Sequence, residues 1–293
     1  MTLTLVKADT CQNTFFIYDR RMYQGNISQH EILLLCQQLR FYNRDQVLII
    51  TCASEKNIYL IKMLVLEQDA SLSDFCGNGA LAVSKYLCLL HGVSTAKHFR
   101  FETEQDIHPI VFGPQGYIGV NMKVPSTFVA NIKYECHSHS LIKQHSDGKL
   151  HQFNIDQYCF YYVEALEPHL LTFKPMNYKE LNDVGKKIND DRCSFPLGIN
   201  VNAVSLLPNN QLRLKTYERG ANRVTGACGT GATAASYLLF QLTDNRVPFY
   251  KVYCPKGVLY TAMDPFTDNI WLWGKPSIEV KTSDWVVTTA NAF

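Results

Sequence analysis

The sequence predicts an α+β protein built from two copies of one αβ unit. Three observations carry this. The 293-residue chain, 46% hydrophobic and 18% charged, has the length of two domains of about 150 residues each. A Cys-Gly-x-Gly turn opening an apolar helix occurs twice, as CGNGALAVSKYL at 76–87 and CGTGATAASYLL at 228–239. The two align without a gap, matching at the cysteine, both glycines, two alanines, a serine and a leucine. Segments that read as strands flank both turns in the same order, which is what an internal duplication leaves behind.

The elements follow in chain order. Residues 2–6 alternate and read as a strand, 11–14 as a loop, and 15–18 as an apolar strand ending at Asp19. Residues 29–40 have helical spacing, 47–50 form a buried strand, and 58–66 are strand-like. A turn at 68–71 precedes the first cysteine turn, whose helix runs to about residue 90. Strands are expected near 99–102 and 119–124. In the second half, 200–207 and 211–217 read as strands, 228–242 as a helix, and 249–253 and 269–273 as strands. A duplicated domain usually places its site at the seam, where each half supplies an equivalent loop.

Composition narrows the function classes. A net charge of +2 without a Lys/Arg stripe argues against a nucleic-acid partner. No apolar stretch approaches the roughly 20 residues of a membrane span. The opening MTLTLVKADT lacks the basic-then-apolar layout of an export signal, so a cytoplasmic protein is expected. Its ten cysteines are then expected to be thiols, most of them small core residues. The polar stretch 136–151 holds Cys136, His137, His139, His145 and His151, but its spacing fits no standard zinc pattern; no metal is expected.

The cysteine turns are the chemistry-bearing feature. A glycine-rich turn feeding a helix presents backbone N–H groups at a positive dipole end, a site for an anion. Phosphate is disfavoured, because neither turn has the Lys-Ser/Thr of a P-loop; a carboxylate fits. The same field lowers the pKa of a cysteine at the first position of the helix. Two such thiols on opposite faces of one α-carbon would serve as base and acid, which is the requirement for stereoinversion. A redox disulfide between the halves and two structural cysteines are the other readings of the same residues.

These residues resemble the pyridoxal-phosphate-independent diaminopimelate epimerases over nearly the whole chain. The strongest matches are DFCGNGA (74–80) and YERGANRVTGACGTGA (217–232), with support from QNTFFIYD (12–19), EPH (167–169) and FPLGINVN (195–202). The resemblance implies two pseudosymmetric domains, each a β-sheet wrapped around a central helix. One would be residues 1–129 plus 279–293 and carry Cys76; the other would be 130–278 and carry Cys228. It implies that Cys76 and Cys228 are the acid/base pair and that no cofactor is needed. The backbone N–H groups of Gly77, Asn78, Gly229 and Thr230 would hold the reacting carboxylate. Asn13 would sit beside the reaction centre, and Asn200 matches the first Asn of the family's N-V-N strand. Glu218 and Arg219 would hold the substrate's ammonium and distal carboxylate, a role that suits arginine. The partner is a small amino acid, and a homodimer is compatible with it.

The departures bear on the substrate. The family's Asn nine residues before the first cysteine is Glu67, the Asn of its N-P-H motif is Glu167, and its C-G-N-G-x-R-C becomes CGNGALA, with Leu81 and Ala82. Asn222-Arg223-Val224 replaces a shorter Gly-Glu. Diaminopimelate, converted from LL to meso, is the substrate the resemblance favours. Glu67 and Glu167 open a second possibility, a racemase for histidine, lysine or arginine, unless they pair with arginines. Other isomerases of this fold generally lack one or both cysteines, and a non-catalytic amino-acid-binding relative is the remaining alternative.

Overall fold

The computed structural model describes residues 2–23, 25–53, 59–73, 75–103, 106–127, 142–144, 150–243, 249–279 and 286–288 of the 293. The chain divides into two compact units, Met1–Val120 with Gly274–Phe293, and Asn121–Trp273.

In the first unit, β1 (Val6–Thr10) and β2 (Asn13–Asp19) form a hairpin. Only Cys11 and Gln12 join them, with φ of 54° and 60°. Positive φ at both central residues is the type I′ turn, whose twist matches that of the flanking strands. The loop expected at 11–14 is therefore shorter, and Asn13 and Thr14 already belong to β2. Asp45 secures them: its Oδ2 accepts from the Thr14 N–H and hydroxyl, each at 2.8 Å.

Helix α1 (Gln29–Phe41) starts at a capping box between Ser28 and Glu31. It leads from β2 to the parallel strand β3 (Gln46–Cys52). Strand β4 (Leu60–Leu66) runs back antiparallel to β3. Helix α2 (Gly77–His91) then crosses from β4 to β5 (Arg100–Glu102), which is parallel to β4. Strands β6 (Ile107–Phe112) and β7 (Ile118–Asn121) continue antiparallel.

The second unit repeats this path. After β8 (His151–Ile155), strands β9 (Tyr158–Glu164) and β10 (Pro168–Thr172) are antiparallel. Helix α3 (Tyr178–Asp190) crosses to the parallel strand β11 (Asn200–Leu207). It too begins at a capping box, between Asn177 and Glu180. Strand β12 (Gln211–Glu218) is antiparallel to β11 and turns back into the short β13 (Arg223–Val224). Helix α4 (Gly229–Leu242) crosses to β14 (Phe249–Cys254), parallel to β12. Strands β15 (Gly257–Met263) and β16 (Ile270–Gly274) follow antiparallel. Two parallel crossovers, the second through a cysteine-capped helix, occur in the same order in each unit. The duplication is thus written in the hydrogen-bond topology as well as in the sequence.

The two crossover helices of each unit differ in burial. On α2 every residue from Gly77 to Ser84 is buried, and on α4 every residue from Gly229 to Ser236. A helix apolar on all sides belongs inside a domain. Helix α4 packs on β9, β10, β11, β12 and β15, so the sheet wraps around it. The hydroxyls these helices bury are satisfied: Ser84, Thr233 and Ser236 donate to carbonyls one turn back at 2.7, 2.9 and 3.0 Å. The fold is α+β, with a central helix in each unit.

Several elements differ from expectation. The strand read at 119–124 stops at Asn121, and Lys123 follows with φ of 62°. Strands β9 and β10 and helix α3 are additional to the expected elements, although α3 buries Leu181, Gly185 and Ile188 at helical spacing. Within 136–151, residues Cys136, His137, His139 and His145 lie outside the described residues, while His151 begins β8. Cys193 is disulfide-bonded, which corrects the expectation that all ten cysteines are thiols; spacing and compartment cannot show which sulfurs the fold brings together. No described helix is long and apolar enough to cross a membrane.

Candidate active site

Cys76 and Cys228 occupy equivalent positions in their own units. Cys76 is the N-cap of α2 with φ −137° and ψ 120°, and Cys228 the N-cap of α4 with φ −121° and ψ 114°. Each stands one position before the expected first helical residue, with extended backbone. Each Sγ accepts the N–H three residues on, from Gly79 at 3.4 Å and from Gly231 at 3.3 Å. In each turn the two N–H groups between, of Gly77 and Asn78 or of Gly229 and Thr230, belong to the first helical turn, where backbone donors point out of the helix end.

The last glycine of each Cys-Gly-x-Gly turn lets the helix start pack closely on a neighbouring strand. A Cβ on Gly79 would lie 2.6 Å from Leu48 Cδ2, and one on Gly231 would lie 2.8 Å from Asn202 Oδ1. The helix start is pressed onto a strand in each unit, β3 in the first and β11 in the second.

The surroundings of Cys228 correct one expectation. Burial, and next the Glu218 carboxylate, push its thiol well above the usual range, against the opposing hydrogen bonds from Thr230 and Gly231. The helix start therefore does not make Cys228 a thiolate; loss of solvent outweighs the donors. Glu218 lies within hydrogen-bonding reach of the thiol and accepts from the Thr225 hydroxyl at 2.7 Å. Thr230 Oγ1 is 3.4 Å from the same sulfur.

Arg219, the next residue, is tied in three ways. Its N–H donates to Asn200 Oδ1 at 3.0 Å, its Nη1 to the Leu197 carbonyl at 3.2 Å, and its Nη2 forms an ion pair with Glu167. Burial pushes the Glu167 carboxyl upward, Arg219 pulls it back, and Glu164 adds to the rise. Of the two substituted glutamates, this one pairs with an arginine. Glu67, after the end of β4 in the first unit, accepts from Gln46 Nε2 at 2.6 Å. Asn13, half-buried, opens β2 directly after the tight turn.

Sequence reasoning missed His169 and its support. The Asn202 amide is oriented by the Thr216 hydroxyl, which donates to its Oδ1 at 2.8 Å, and by the Leu170 carbonyl, which accepts from its Nδ2 at 3.0 Å. Its Nδ2 therefore also donates to His169 Nδ1 at 3.0 Å, and the ring proton sits on Nε2. That Nε2 is buried and has no partner among the described residues. Burial, and next Arg219, lower the His169 pKa to about 3, so the ring is neutral. The available signal was polar residues inside apolar strands: His169 in PHLLT and Asn202 in NVNAVSLL. Among the described residues no His, Cys, Asp and Glu cluster suits a metal ion.

The chain is similar to several known proteins. No family model matches the sequence. A diaminopimelate epimerase from Chlorobaculum tepidum is 23% identical, spanning 89% of this chain and 93% of the relative. One from Enterococcus faecalis is 27% identical, spanning 93% and 85%. Among solved structures, a predicted epimerase from Pseudomonas aeruginosa superposes with a TM-score of 0.65 at 11% identity, covering 98% of this chain and all of that one. A hydroxyproline epimerase from Agrobacterium vitis gives 0.60 at 14% identity, covering 95% and 92%. The structural likenesses establish the fold, and the curated relatives the class: the protein is an isomerase. Within that class the chain resembles the diaminopimelate epimerases over most of its length.

Proposed function

We propose that the protein inverts the α-carbon of an amino acid, with Cys76 and Cys228 as the acid/base pair. The observation that carries this is the atomic equivalence of the two turns. Each cysteine caps a buried central helix and accepts the same N–H, at 3.4 and 3.3 Å. One sulfur, as thiolate, removes the Cα proton; the other, as thiol, returns a proton to the opposite face, so that no net proton is consumed. Cys228 suits the thiol role in the resting enzyme, since burial and Glu218 keep it protonated.

The N–H groups of Gly77, Asn78, Gly229 and Thr230 suit the α-carboxylate, and they stabilise the negative charge that moves onto it as Cα–H breaks. Glu218 suits the substrate ammonium, and Asn13 and Asn200 the polar contacts next to it. Diaminopimelate, in the LL-to-meso direction, is the substrate that the relatives' names give. The enzyme in this reading is cytoplasmic and acts on a free amino acid.

Turnover in deuterated water tests the scheme. Deuterium should appear at Cα of the product while unreacted substrate initially keeps its proton. Cys76→Ala and Cys228→Ala should each abolish inversion; an active single variant would refute the pair.

A further inference from the structure

The duplication extends to a carboxylate that precedes each cysteine turn. In the first unit Gln46 opens β3, and the register pair Val47 with Leu66 puts Gln46 opposite Glu67 one step on. In the second unit Asn200 opens β11, and the pair Val201 with Tyr217 puts Asn200 opposite Glu218. The helix starts use the same frame. Gly79 packs on Leu48, the third residue of β3, and Gly231 on Asn202, the third residue of β11. Strand pair and helix start keep one arrangement in both units, so Glu67 stands to Cys76 as Glu218 stands to Cys228.

The two carboxylates are also held alike. Gln46 Nε2 donates to Glu67 Oε1 at 2.6 Å, and the Thr225 hydroxyl donates to Glu218 Oε1 at 2.7 Å. Each donor is uncharged and fixes one oxygen. In the second unit the carboxylate lies within hydrogen-bonding reach of its thiol. Other ionisable groups of this part of the first unit are engaged elsewhere. Arg40 donates to the Gln68 carbonyl, Lys7 and Arg44 pair with Glu279, and the Cys36 thiol meets the Glu67 carbonyl. Asp9, Asp45 and Asp69 accept from Gln12, Thr14 and Ser71, and His108 meets Thr103. Cys228 is buried and Cys76 half-buried, so Cys76 loses less solvent and is the easier of the two to deprotonate.

We propose that Glu67 is the proton acceptor for Cys76. The Cys76 S–H bond breaks, its proton passes to a Glu67 carboxylate oxygen, and the thiolate left behind removes the Cα proton. Once product leaves, Glu67 releases its proton to solvent and Cys228 regains one, so protons balance over a turnover. The proposal rests on the two-cysteine reading and adds the residue that activates its base.

Glu67→Gln tests it, because glutamine can still accept from Gln46 but carries no charge. The first readout is alkylation of Cys76 by iodoacetamide across a pH series, by mass spectrometry. The onset should move down by about one pH unit with the high-pH limit unchanged, a pattern that loosening of the fold would not give. The second is kcat/KM for Cα–H exchange in deuterated water, with LL-diaminopimelate, L-lysine, L-arginine and L-histidine. On whichever the wild type turns over, the variant should be about 100-fold slower at neutral pH. Easier thiolate formation with slower turnover is the mark of a lost base. In the wild type kcat/KM should be flat from about pH 6 to 8, since the pair keeps one proton throughout. An unchanged onset in folded Glu67→Gln, or a lower onset with undiminished turnover, overturns the proposal and leaves the cysteine pair standing. So does a wild-type rate that climbs about tenfold per pH unit over that range, even where the variant fails to fold. A folded wild type that exchanges none of the four amino acids overturns the reaction reading and the role of Glu67 with it.

Discussion

The Glu218 carboxylate lies within hydrogen-bonding reach of the Cys228 thiol, and the Thr225 hydroxyl holds Glu218 Oε1 at 2.7 Å. A carboxylate beside a buried sulfur opposes a second negative charge there, so Cys228 rests as a thiol. Alkylation by a small reagent should therefore be slow at neutral pH and begin only well above the ordinary thiol range. Glu218→Gln removes the repelling charge and should move that onset to lower pH. Mass spectrometry of the peptide carrying Cys228, across a pH series, reads it; an unchanged profile in the variant refutes the coupling.

Cys76→Ser and Cys228→Ser separate capping from chemistry. Serine is a good N-cap, and its hydroxyl can accept the N–H that each sulfur accepts now. Stability should be kept, within about 1 kcal/mol by denaturant unfolding. Inversion should fall by about 100-fold to 10,000-fold, because a serine hydroxyl is a poor proton shuttle. A variant that retains near-normal turnover would show that the sulfur only caps the helix.

Alanine at the two turn glycines should have unequal effects. At Gly231 the new Cβ would lie 2.8 Å from Asn202 Oδ1 and 3.0 Å from Thr216 Oγ1. Those atoms are hydrogen-bonded to each other, and the same Asn202 amide donates through Nδ2 to the Leu170 carbonyl of β10, so it has little room to move. At Gly79 the nearest atom, at 2.6 Å, is the end of the Leu48 side chain, which can turn. Gly231→Ala should cost about 1–3 kcal/mol and Gly79→Ala less, by thermal or denaturant unfolding. Equal losses would argue against a rigid Asn202 amide.

His169 makes stability depend on pH. Its folded pKa is about 3, against about 6.5 for an unfolded histidine. The unfolded chain therefore binds a proton that the folded chain excludes. This contribution is complete above pH 6.5 or so and is lost as pH falls towards 3, at up to about 1.4 kcal/mol per pH unit. Denaturant midpoints from pH 7 to 4 should fall more steeply in the wild type than in His169→Gln. Parallel curves would mean that the ring is accessible to protons in the folded state.

Much of the frame was legible before any coordinates. The aligned turns at 76–87 and 228–239 revealed the duplication, because a helix buried on all sides must be small and apolar throughout, and that pattern survives in sequence. The same turns located both cysteines at helix starts, since glycine is what close helix-on-strand approach demands. Helix α3 was legible too, from Leu181, Gly185 and Ile188 behind Asn177 and Glu180, although it was not read.

Other features were not legible, for a common reason. The partner of Glu167 lies 52 positions away, and nothing local distinguishes a carboxylate that will meet Arg219 from one that will face solvent. The His169 tautomer depends on Thr216 and Leu170 acting through Asn202. The Cys228 thiol is raised by burial, although the helix start alone predicts a lowered pKa.

By itself, then, the sequence determined the α+β class, the two equivalent turns and the residues likeness assigns to acid and base. Those follow from local geometry and repeat along the chain. Only the tertiary structure decided which charges meet and which groups lose water: that Glu167 takes Arg219, that Glu218 stands by Cys228, and that His169 is neutral. Desolvation and ion pairing act over a few ångströms in space, and spacing along a strand does not encode them.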